Sequence, residues 1–532
     1  MQSIATEKSK VNSYQELSIV SRPKQESPLE FAEKLQTEHQ ETIPSLDRKN
    51  IGQYFTPTEV ARFMAGLFDQ IPSEAKILDP GAGAGILSAA ISERVLNSRK
   101  KHKLDFHLYE IDPQAIILLR KTTDYCKNAL EQKGHEATFT IYPQDFILHT
   151  AQSLSGQQML HKNPVESQFN LIIMNPPYFK LKKNSRYAKL LSSLFNGQPN
   201  IYAQFMALGA HLLRKDGELV AITPRSYCNG LYFKGFRKYL LQTVKPKKIH
   251  VFESRNKAFD ADGVLQENII VCFKKTVSAP SIVRVSVSDG YHDLEHGKIR
   301  NAPYEHVIHT IQDDTFIRIM SDAKEREASR VIDSFDQTFL NEGYRISTGP
   351  VVSFRLKEHL RFKEEKGAVP LITIHDVQPF KIVPHKKTNK PSFFAVDAAS
   401  KSWVTPMKNY VLLRRFTAKE EKRRLTAAVF LSKNVEYERV AFENHLNYVY
   451  KANGTLTEDE VYGLAALFNS KIYDDYFRAI SGNTQVNAHE IKHIKLPPNE
   501  VILRIGKTVK TLATQDIQKI ENAVRENLLK MI

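Results

Sequence analysis

Residues 75–96 of the chain read AKILDPGAGAGILSAAISERVL. The apolar run Ala75–Leu78 is typical of a short strand that ends at Asp79, and the apolar spacing from Ile86 to Leu96 predicts a helix. The glycines between them let the backbone turn sharply and approach a ligand closely, while the helix N-terminus offers free N–H donors. The unit therefore predicts a ligand site at the edge of an α/β sheet, although a glycine-rich turn alone also fits a purely structural role.

The alternation of strands and helices continues along the chain. Helices are predicted at Asp112–Leu130 and Tyr202–Leu213. Further strands are predicted at Phe106–Tyr109, Thr138–Tyr142, Phe169–Met174, Glu218–Thr223, Lys247–Phe252 and Asn268–Phe273. Alternation at this spacing predicts a parallel, doubly wound sheet.

Composition divides the chain into four regions. They are a loose polar arm (residues 1–45), an α/β domain (46–275), a β/helical connector (276–340) and a mixed α+β domain (341–532). Outside the predicted sheet, helices are expected at Leu29–His39, Thr315–Ser334, Leu456–Phe468 and Gln515–Leu529.

Overall composition indicates a soluble protein with a polyanionic partner. Lys and Arg number 75 against 59 Asp and Glu, a formal net charge of +16 that suits nucleic acid. The three cysteines, Cys126, Cys228 and Cys272, form neither a disulfide framework nor a zinc cluster, which fits a reducing cytoplasm. The chain shows no signal peptide and no apolar run long enough to span a bilayer, so we expect a cytoplasmic protein.

Acidic residues follow the second and third predicted strands. Glu110 ends the second strand, where a carboxylate can accept hydrogen bonds from both hydroxyls of a ribose. Asp145 follows the third strand and can accept from an adenine amino group. Each acid alone is more commonly a solvated loop carboxylate. Three consecutive strand ends that carry glycines or an acid favour a ligand at the carboxyl edge.

The fourth predicted strand stops at Asn175-Pro176-Pro177-Tyr178. The two prolines remove two N–H donors and fix φ, so the turn is stiff and presents carbonyl acceptors. An amino nitrogen of adenine is a poor nucleophile because its lone pair is delocalised into the ring. Acceptance of its hydrogens by the Asn175 side chain and the Pro176 carbonyl would aim the lone pair at an activated methyl group. Tyr178 offers a face on which an extruded base can stack, or it is simply a packed tyrosine.

Together these motifs, with Gly52-Gln53-Tyr54-Phe55-Thr56-Pro57, resemble the gamma-class N6-adenine DNA methyltransferases of type II restriction–modification systems. The resemblance covers residues 50–500 and follows the order of motifs in that family. It implies a Rossmann-like class I methyltransferase domain with a doubly wound mixed sheet, followed by a mixed α+β target-recognition domain. It also implies S-adenosylmethionine as cofactor and duplex DNA as substrate.

The resemblance implies roles for individual residues. The catalytic turn is Asn175, Pro176, Pro177 and Tyr178, and Phe259 resembles the second aromatic residue that packs against the flipped base. The implied cofactor-binding residues are Tyr54, Phe55, Thr56, Pro57, Asp79, Gly81, Gly83, Glu110, Ile111, Asp145, Phe146 and Asn175. The family further implies a monomeric bacterial enzyme that protects host DNA from a restriction endonuclease encoded nearby, which is not a stable subunit.

Other functions compatible with the same turn stay open. N4-cytosine DNA methylation has a similar transition state, although that family usually has Ser or Asp at the position of Asn175. RNA or protein-glutamine methyltransferases share the turn but tend to be shorter, which leaves the basic C-terminal half without a role. A nicotinamide-dependent dehydrogenase leaves the turn unexplained, and a DNA-binding module with an inactive catalytic fold does not explain the complete set of motifs.

Basic residues are concentrated in residues 381–430, which contain twelve Lys or Arg against three acids, with aromatic residues interleaved. Such side chains can contact DNA phosphates, although part of the run also fits a solvated helix face. The candidates are Lys386, Lys387, Arg414, Arg415, Arg423 and Arg424. Gln485 and Asn487 carry amides that can recognise adenine edges or, equally well, cap the helix near Ala488.

Residues His489–His493 match the HExxH pattern of zinc proteases. That motif needs a sustained helix and a third ligand. Pro497 and Pro498 leave this helix only a couple of turns, so we interpret the match as chance and expect no metal site.

Overall fold

The computed structural model describes most of the chain. The described residues are 26–42, 55–154, 168–182, 184–191, 200–252, 267–311, 314–320, 322–385, 390–417, 421–481, 485–512 and 516–531. Four residues with a predicted role, Tyr54, Phe259, Lys386 and Lys387, lie outside these ranges.

A nine-stranded sheet forms the N-terminal domain. Its strands in chain order are β1 (Glu74–Pro80), β2 (Lys103–Tyr109), β3 (Glu136–Tyr142), β4 (Phe169–Met174), β5 (Leu213–Pro224), β6 (Lys245–Phe252), β7 (Asn268–Lys274), β8 (Ile282–Ser288) and β9 (Lys298–Pro303). The spatial order is β3-β2-β1-β4-β5-β7-β6-β8-β9. The first five strands in this order, from β3 through β2, β1 and β4 to β5, run parallel to one another. Strand β7 is antiparallel to both of its neighbours, β5 and β6. The predicted doubly wound mixed sheet is confirmed.

Helices cover both faces of this sheet. In chain order they are α1 (Pro28–Thr42), α2 (Thr58–Gly66), α3 (Ile86–Leu96), α4 (Pro113–Gln132), α5 (Phe146–Leu154), α6 (Arg186–Leu190), α7 (Ile201–Leu212) and α8 (Lys234–Thr243). Alternate residues of buried β4 belong to different cores: Ile172 and Met174 pack with α5, α7 and α8, while Leu171 and Ile173 pack with α1 to α4. The sheet therefore lies between two apolar cores that cover its faces, and the carboxyl ends of its strands stay available for a ligand.

The N-terminal arm is not loose over its described part. Helix α1 packs on the N-terminal domain, with Leu29 and Ala32 fully buried and the Phe31 ring stacked 4.2 Å from that of Tyr125. The expectation of a separate polar arm is wrong for residues 26–42. Its abundant charged residues lie on the outer face, while the apolar residues that fix it recur at helical spacing.

The predicted connector also changes. Strand β8 pairs in parallel with β6, and β9 pairs with β8, so residues 282–303 extend the sheet of the N-terminal domain. The helix predicted over Thr315–Ser334 is wrong in its first part. There α9 (Tyr304–Val307) leads into a hairpin of β10 (Ile308–Ile311) and β11 (Asp314–Ile317), and only Ala323–Asp333 is helical, as α10. Pairing with β10 outweighs the local helical pattern.

The C-terminal domain is mixed α+β, as predicted. Its strands are β12 (Tyr344–Thr348), β13 (Leu360–Arg361), β14 (Ala368–Ile372), β15 (Val377–Gln378), β16 (Lys381–Ile382), β17 (Phe393–Ala395), β18 (Thr405–Pro406), β19 (Tyr410–Arg414), β20 (Ala427–Phe430), β21 (Arg439–Phe442) and β22 (Leu446–Lys451). Its helices are α11 (Glu458–Asn469), α12 (Lys471–Ile480), α13 (Ala488–Ile491), α14 (Asn499–Thr511) and α15 (Ile517–Leu529). Two sheets, of order β12-β22-β19-β20 and β13-β17-β14-β21-β18, form its body. Among the described residues, no helix has the length and apolar character to cross a membrane.

Gly85 ends the glycine-rich turn at a position that other residues fit poorly. Its φ is +90°, and an added Cβ would lie 2.9 Å from Leu119 Cδ1 and 3.1 Å from Thr122 Cγ2. We expect Gly85→Ala to lower the free energy of unfolding by about 2–4 kcal/mol through left-handed strain and overpacking. Denaturant unfolding measures this change. The control Gly66→Ala, where a Cβ meets nothing within 4 Å, should leave stability unchanged or slightly raised, and equal losses in both variants would contradict the prediction.

Candidate active site at the carboxyl edge of the sheet

A large cavity lies at the carboxyl ends of β1 to β4, with an empty volume of about 1400 Å³, part of it open to solvent. It brings together the glycine-rich turn, both predicted acids and the Asn-Pro-Pro turn. Its lining includes Phe55, Thr56, Gly81, Gly83, Glu110, Ile111, Asp145, Phe146, Asn175 and Pro177. These residues come from segments more than 100 positions apart, and the sheet order β2-β1-β4 makes them neighbours.

Glu110 ties the glycine-rich turn to the end of β2. One carboxylate oxygen accepts the Gly83 N–H at 2.8 Å, and the other accepts the Ile111 and Asp112 N–H groups at 2.8 and 2.9 Å. Burial raises the pKa of Glu110, and these three backbone donors oppose the rise. The carboxylate is therefore held rigidly at the cavity wall, as a ribose-binding acid requires.

Asp79 lies behind the turn and is not in the cavity lining. It is fully buried, and Ser88 Oγ in α3 donates to its Oδ2 at 2.8 Å. Burial, together with the nearby Glu110, raises the pKa of Asp79 to about 7, although hydrogen bonds from Ser88 oppose the rise. Pro57 is likewise absent from the lining. The predicted cofactor contacts of both residues are therefore not seen: Asp79 is buried against α3, and Pro57 immediately precedes α2.

Asp145 is held at both carboxylate oxygens. Its Oδ1 accepts the Leu148 N–H at 2.8 Å, and its Oδ2 accepts the Tyr187 hydroxyl at 2.6 Å. Burial and the neighbouring Asp145 raise the pKa of Tyr187 to about 12, so this hydroxyl stays protonated as a donor. Tyr187 itself lines the cavity, although the sequence analysis did not select it.

The side-chain amide of Asn175 is fixed from both ends. Its Nδ2 donates to Thr56 Oγ1 at 2.9 Å, and its Oδ1 accepts the Tyr178 hydroxyl at 2.7 Å. Both partners are hydroxyls, which can donate or accept, and together they anchor the two ends of the amide. The Tyr178 hydroxyl also lies 3.0 Å from the Ile222 carbonyl of β5. The turn therefore presents a hydrogen-bond acceptor of defined orientation at the cavity.

Comparison with known proteins identifies the class of molecule. The family model of the Eco57I restriction-modification methylase matches residues 93–259. The chain is 35% identical over 481 residues to the type II methyltransferase M.BsuBI of Bacillus subtilis, covering 90% of this chain and 92% of that protein. It is also 35% identical over 492 residues to the type II methyltransferase M.PstI of Providencia stuartii, covering 92% of this chain and 95% of that protein. The chain belongs to the type II DNA methyltransferases.

The methyltransferase also shares its fold with a larger restriction–modification enzyme. The type IIL enzyme MmeI, solved in complex with DNA, superposes with a TM-score of 0.54 at 12% identity. The alignment covers 94% of this chain and 73% of that one. Both domains of the methyltransferase therefore follow an arrangement found in a solved structure.

Tyr178 has a different environment from the one predicted. It is only 7% exposed, is absent from the cavity lining, and packs edge-on against Tyr202 with centroids 6.3 Å apart. The stacking face expected for a base is thus turned into the core, where the single hydroxyl hydrogen of Tyr178 lies within reach of Asn175 Oδ1 and the Ile222 carbonyl. Phe179, the next residue, lines the cavity and is 37% exposed.

Gln36 of α1 is a cavity residue that the sequence analysis missed. Its Nε2 donates to the Thr56 carbonyl at 3.1 Å and so holds the segment that orients Asn175. A recurrence of apolar residues at Leu29, Ala32 and Leu35 was the available signal, since it marks the buried face of a helix.

Arg424 is not a DNA-contacting residue, contrary to prediction. It is 1% exposed, its Nε donates to Thr417 Oγ1 at 3.2 Å, and its guanidinium lies 5.6 Å from the Phe477 ring centroid. A buried guanidinium in these contacts cannot reach a phosphate. Two other predicted arginines bond to protein carbonyls: Arg414 to Val377 at 2.8 Å, and Arg423 to Asn469.

Arg415 and Gln485 form a partly exposed pair. Arg415 donates to Gln485 Oε1 at 3.2 Å and to the Asn444 carbonyl at 3.0 Å. Asn487 precedes α13, and its backbone N–H donates to Glu490 Oε2 at 3.2 Å, as in the cap of that helix. The pair Arg415 and Gln485 therefore stays a candidate for DNA contact.

The HExxH match begins on α13, which has only four residues, and His493 lies beyond the end of this helix. His489 Nε2 lies 3.5 Å from Asp314 Oδ2, and the His489 carbonyl lies 2.6 Å from His493 Nδ1. Within the described ranges, no group of three or more His, Cys, Asp or Glu side chains is placed to hold a metal ion.

Thr56→Val should slow methyl transfer by about three- to tenfold, because Asn175 loses one of the two bonds that orient its amide. Single-turnover incorporation of labelled methyl groups into DNA measures the rate. Thr58→Val is the matched control, since Thr58 is buried two residues later and its hydroxyl has no hydrogen-bond partner within the described structure. An unchanged rate in Thr56→Val, or equal losses in both variants, would refute the orienting role.

Proposed function

We propose that this methyltransferase transfers a methyl group from S-adenosylmethionine to the N6 amino group of an adenine extruded from duplex DNA. The observation that carries the proposal is the position of Asn175. Its amide, held by Thr56 and Tyr178, lies in the same cavity as the glycine-rich turn and the two acids. A cavity of this kind accommodates a nucleoside-containing donor and a nucleobase side by side.

The lining fits S-adenosylmethionine. Glu110 supports binding of the ribose hydroxyls, and Asp145 supports binding of the adenine amino group. Ile111, Phe146 and Phe205 supply apolar faces for a purine ring. Phe55 and Thr56 would close the pocket on the side of Asn175. Tyr54 lies outside the described residues, and its cofactor-binding role rests on the sequence alone. When bound, the cofactor supplies a methyl group activated by a sulfonium charge.

The chain's own task is to orient the amino group. The Asn175 side-chain oxygen and the Pro176 carbonyl each accept one amino hydrogen, which favours a tetrahedral nitrogen. An amide oxygen has two lone pairs, so Asn175 Oδ1 can accept an amino hydrogen beside the Tyr178 hydroxyl. No strong base is required before transfer, and the surplus proton leaves from nitrogen to water afterwards.

Stacking of the target base is assigned to Tyr178, with Phe259 as the second aromatic. For Tyr178 this requires its ring, which is 7% exposed, to become accessible to the base while its hydroxyl keeps the bond to Asn175 Oδ1. Phe179 already faces the cavity and offers an additional apolar surface.

The biological role proposed is protection of bacterial host DNA from a cognate restriction endonuclease encoded nearby. The formal charge of +16 favours DNA as the partner. Arg415 and Gln485 are the described side chains that best fit DNA contact in the C-terminal domain. The enzyme is proposed to act as a cytoplasmic monomer.

The function is tested by sequencing DNA from cells that express the protein, with detection of modified bases. The expected result is N6-methyladenine within one recurring DNA word and its absence from cells with an empty vector. N4-methylcytosine, or unmodified DNA from cells that contain the folded protein, would overturn the assignment.

Asn175→Ala should reduce methyl transfer by about 100-fold or more, because the amino group loses the acceptor that orients it. Affinity for S-adenosylmethionine, measured by calorimetry, should change by no more than about twofold, since the purine and ribose contacts remain. Asn97→Ala, an exposed residue at the end of α3, is the control for both assays. Retained turnover in Asn175→Ala would contradict the proposed mechanism.

A further inference from the structure

The segment that follows β5 lies next to the catalytic turn. Strand β5 runs parallel to β4, with Met174 opposite Ala221, so the two carboxyl ends are adjacent. Residues 225–233 continue from β5 through two short 3-10 turns, Arg225–Cys228 and Leu231–Phe233. Exposed side chains of residues 225–233 therefore lie close to the Asn175–Tyr178 turn at the end of β4.

Aromatic packing fixes the inner side of this segment. The ring of Tyr202 lies 6.3 Å from that of Tyr178 and 5.8 Å from that of Phe233, and its hydroxyl bonds to Ser226 Oγ at 2.9 Å. Tyr227 and Phe233 are buried. The segment is thus anchored to the same cluster of rings that holds the catalytic turn.

Two side chains of the segment project outward instead. Leu231 is 50% exposed and Tyr232 is 64% exposed, although Asn229 and Phe233 on either side of them are buried. Two adjacent large apolar side chains that face solvent next to an active site form a small apolar patch, and such a patch is a candidate for contact with a bound partner.

The same segment touches the C-terminal domain. Asn229 donates to the Ile480 carbonyl, and Arg225 to the Ala479 carbonyl at 3.1 Å, both at the end of α12. Beyond it in the chain, Gln485 forms a β-bridge with Phe416, an exposed aromatic residue.

Tyr232 also lies within electrostatic reach of the DNA-contacting candidate Arg415. Burial lowers the pKa of Arg415, and the interaction with Tyr232 partly offsets that change. The exposed pair therefore belongs to a segment that joins the catalytic edge to the second domain through Arg225 and Asn229.

We propose that Leu231 and Tyr232 enter the duplex and fill the space that the extruded base leaves. The inference rests on the proposed function, since it assumes a duplex substrate from which one base is removed. Extrusion costs the stacking of the target base on its neighbours. An apolar side chain inserted at that step restores contact with the exposed base faces and slows return of the target. Tyr232 provides a flat ring for this purpose, and Leu231 widens the apolar surface.

The test compares Tyr232→Ala, Tyr232→Phe and Ile299→Ala in the full-length protein. The phenylalanine variant keeps the ring and loses the hydroxyl. Ile299 is 55% exposed on β9, at the far edge of the sheet, and serves as a surface control. Each variant is given saturating duplex that contains the methylated word, once fully paired and once with a mismatch opposite the target base. Single-turnover methyl transfer is measured on these duplexes. In a separate set, 2-aminopurine replaces the target adenine and reports extrusion through its fluorescence.

On paired DNA we expect Tyr232→Ala to lose about tenfold in rate and most of the fluorescence increase, because extrusion is no longer supported. On mismatched DNA its rate should return to within about twofold of the wild-type rate, since a mismatched base costs less to extrude. Tyr232→Phe and Ile299→Ala should match the wild type on both duplexes.

Two results would overturn the inference while leaving the proposed function intact. One is a paired-duplex rate for Tyr232→Ala within about twofold of the wild type. The other is an equal loss on both duplexes, which would place the defect in chemistry or folding. Failure of the proposed function itself would look different, since the wild-type protein would then transfer no methyl group to either duplex.

Discussion

The hydrogen-bonded amide of Asn175 is the constraint on which the site depends. Thr56 holds its nitrogen and Tyr178 holds its oxygen. Gln36 supports Thr56 from α1, and Ile222 of β5 accepts from Tyr178, so two further segments reach the same side chain. These contacts restrict rotation of the Asn175 side chain before the substrate binds. The amide is therefore preorganised to accept a hydrogen bond from one amino group.

The order of strands explains why the cofactor pocket and the catalytic turn share one cavity. Strand β1 lies between β2 and β4, so the glycine-rich turn has Glu110 on one side and Asn175 on the other. Both acids of the pocket are held by donors: Glu110 by backbone N–H groups and Asp145 partly by Tyr187. The two raised pKa values, of Asp79 and Glu110, have burial as their main cause.

The second domain shows that basic composition and DNA contact are separate properties. Arg424 is enclosed by Thr417 and Phe477, and Arg414 bonds to a backbone carbonyl. Part of the positive charge in residues 381–430 therefore stabilises the domain internally. Local sequence cannot distinguish these arginines from Arg415, because all three stand in the same basic run and only the partners supplied by distant segments separate them.

The sequence by itself determined the strand–turn–helix of residues 75–96, the alternation that follows it, and the identity of the residues at the strand ends. These features are local, because spacing and backbone chemistry act within about 20 residues. Tertiary structure decided the rest: it turned Tyr178 inward, placed Asp79 behind the cavity, recruited Gln36 and enclosed Arg424. Each of these outcomes depends on hydrogen bonds or packing between segments far apart in the chain, and such partners exist only once the sheet has set its strand order.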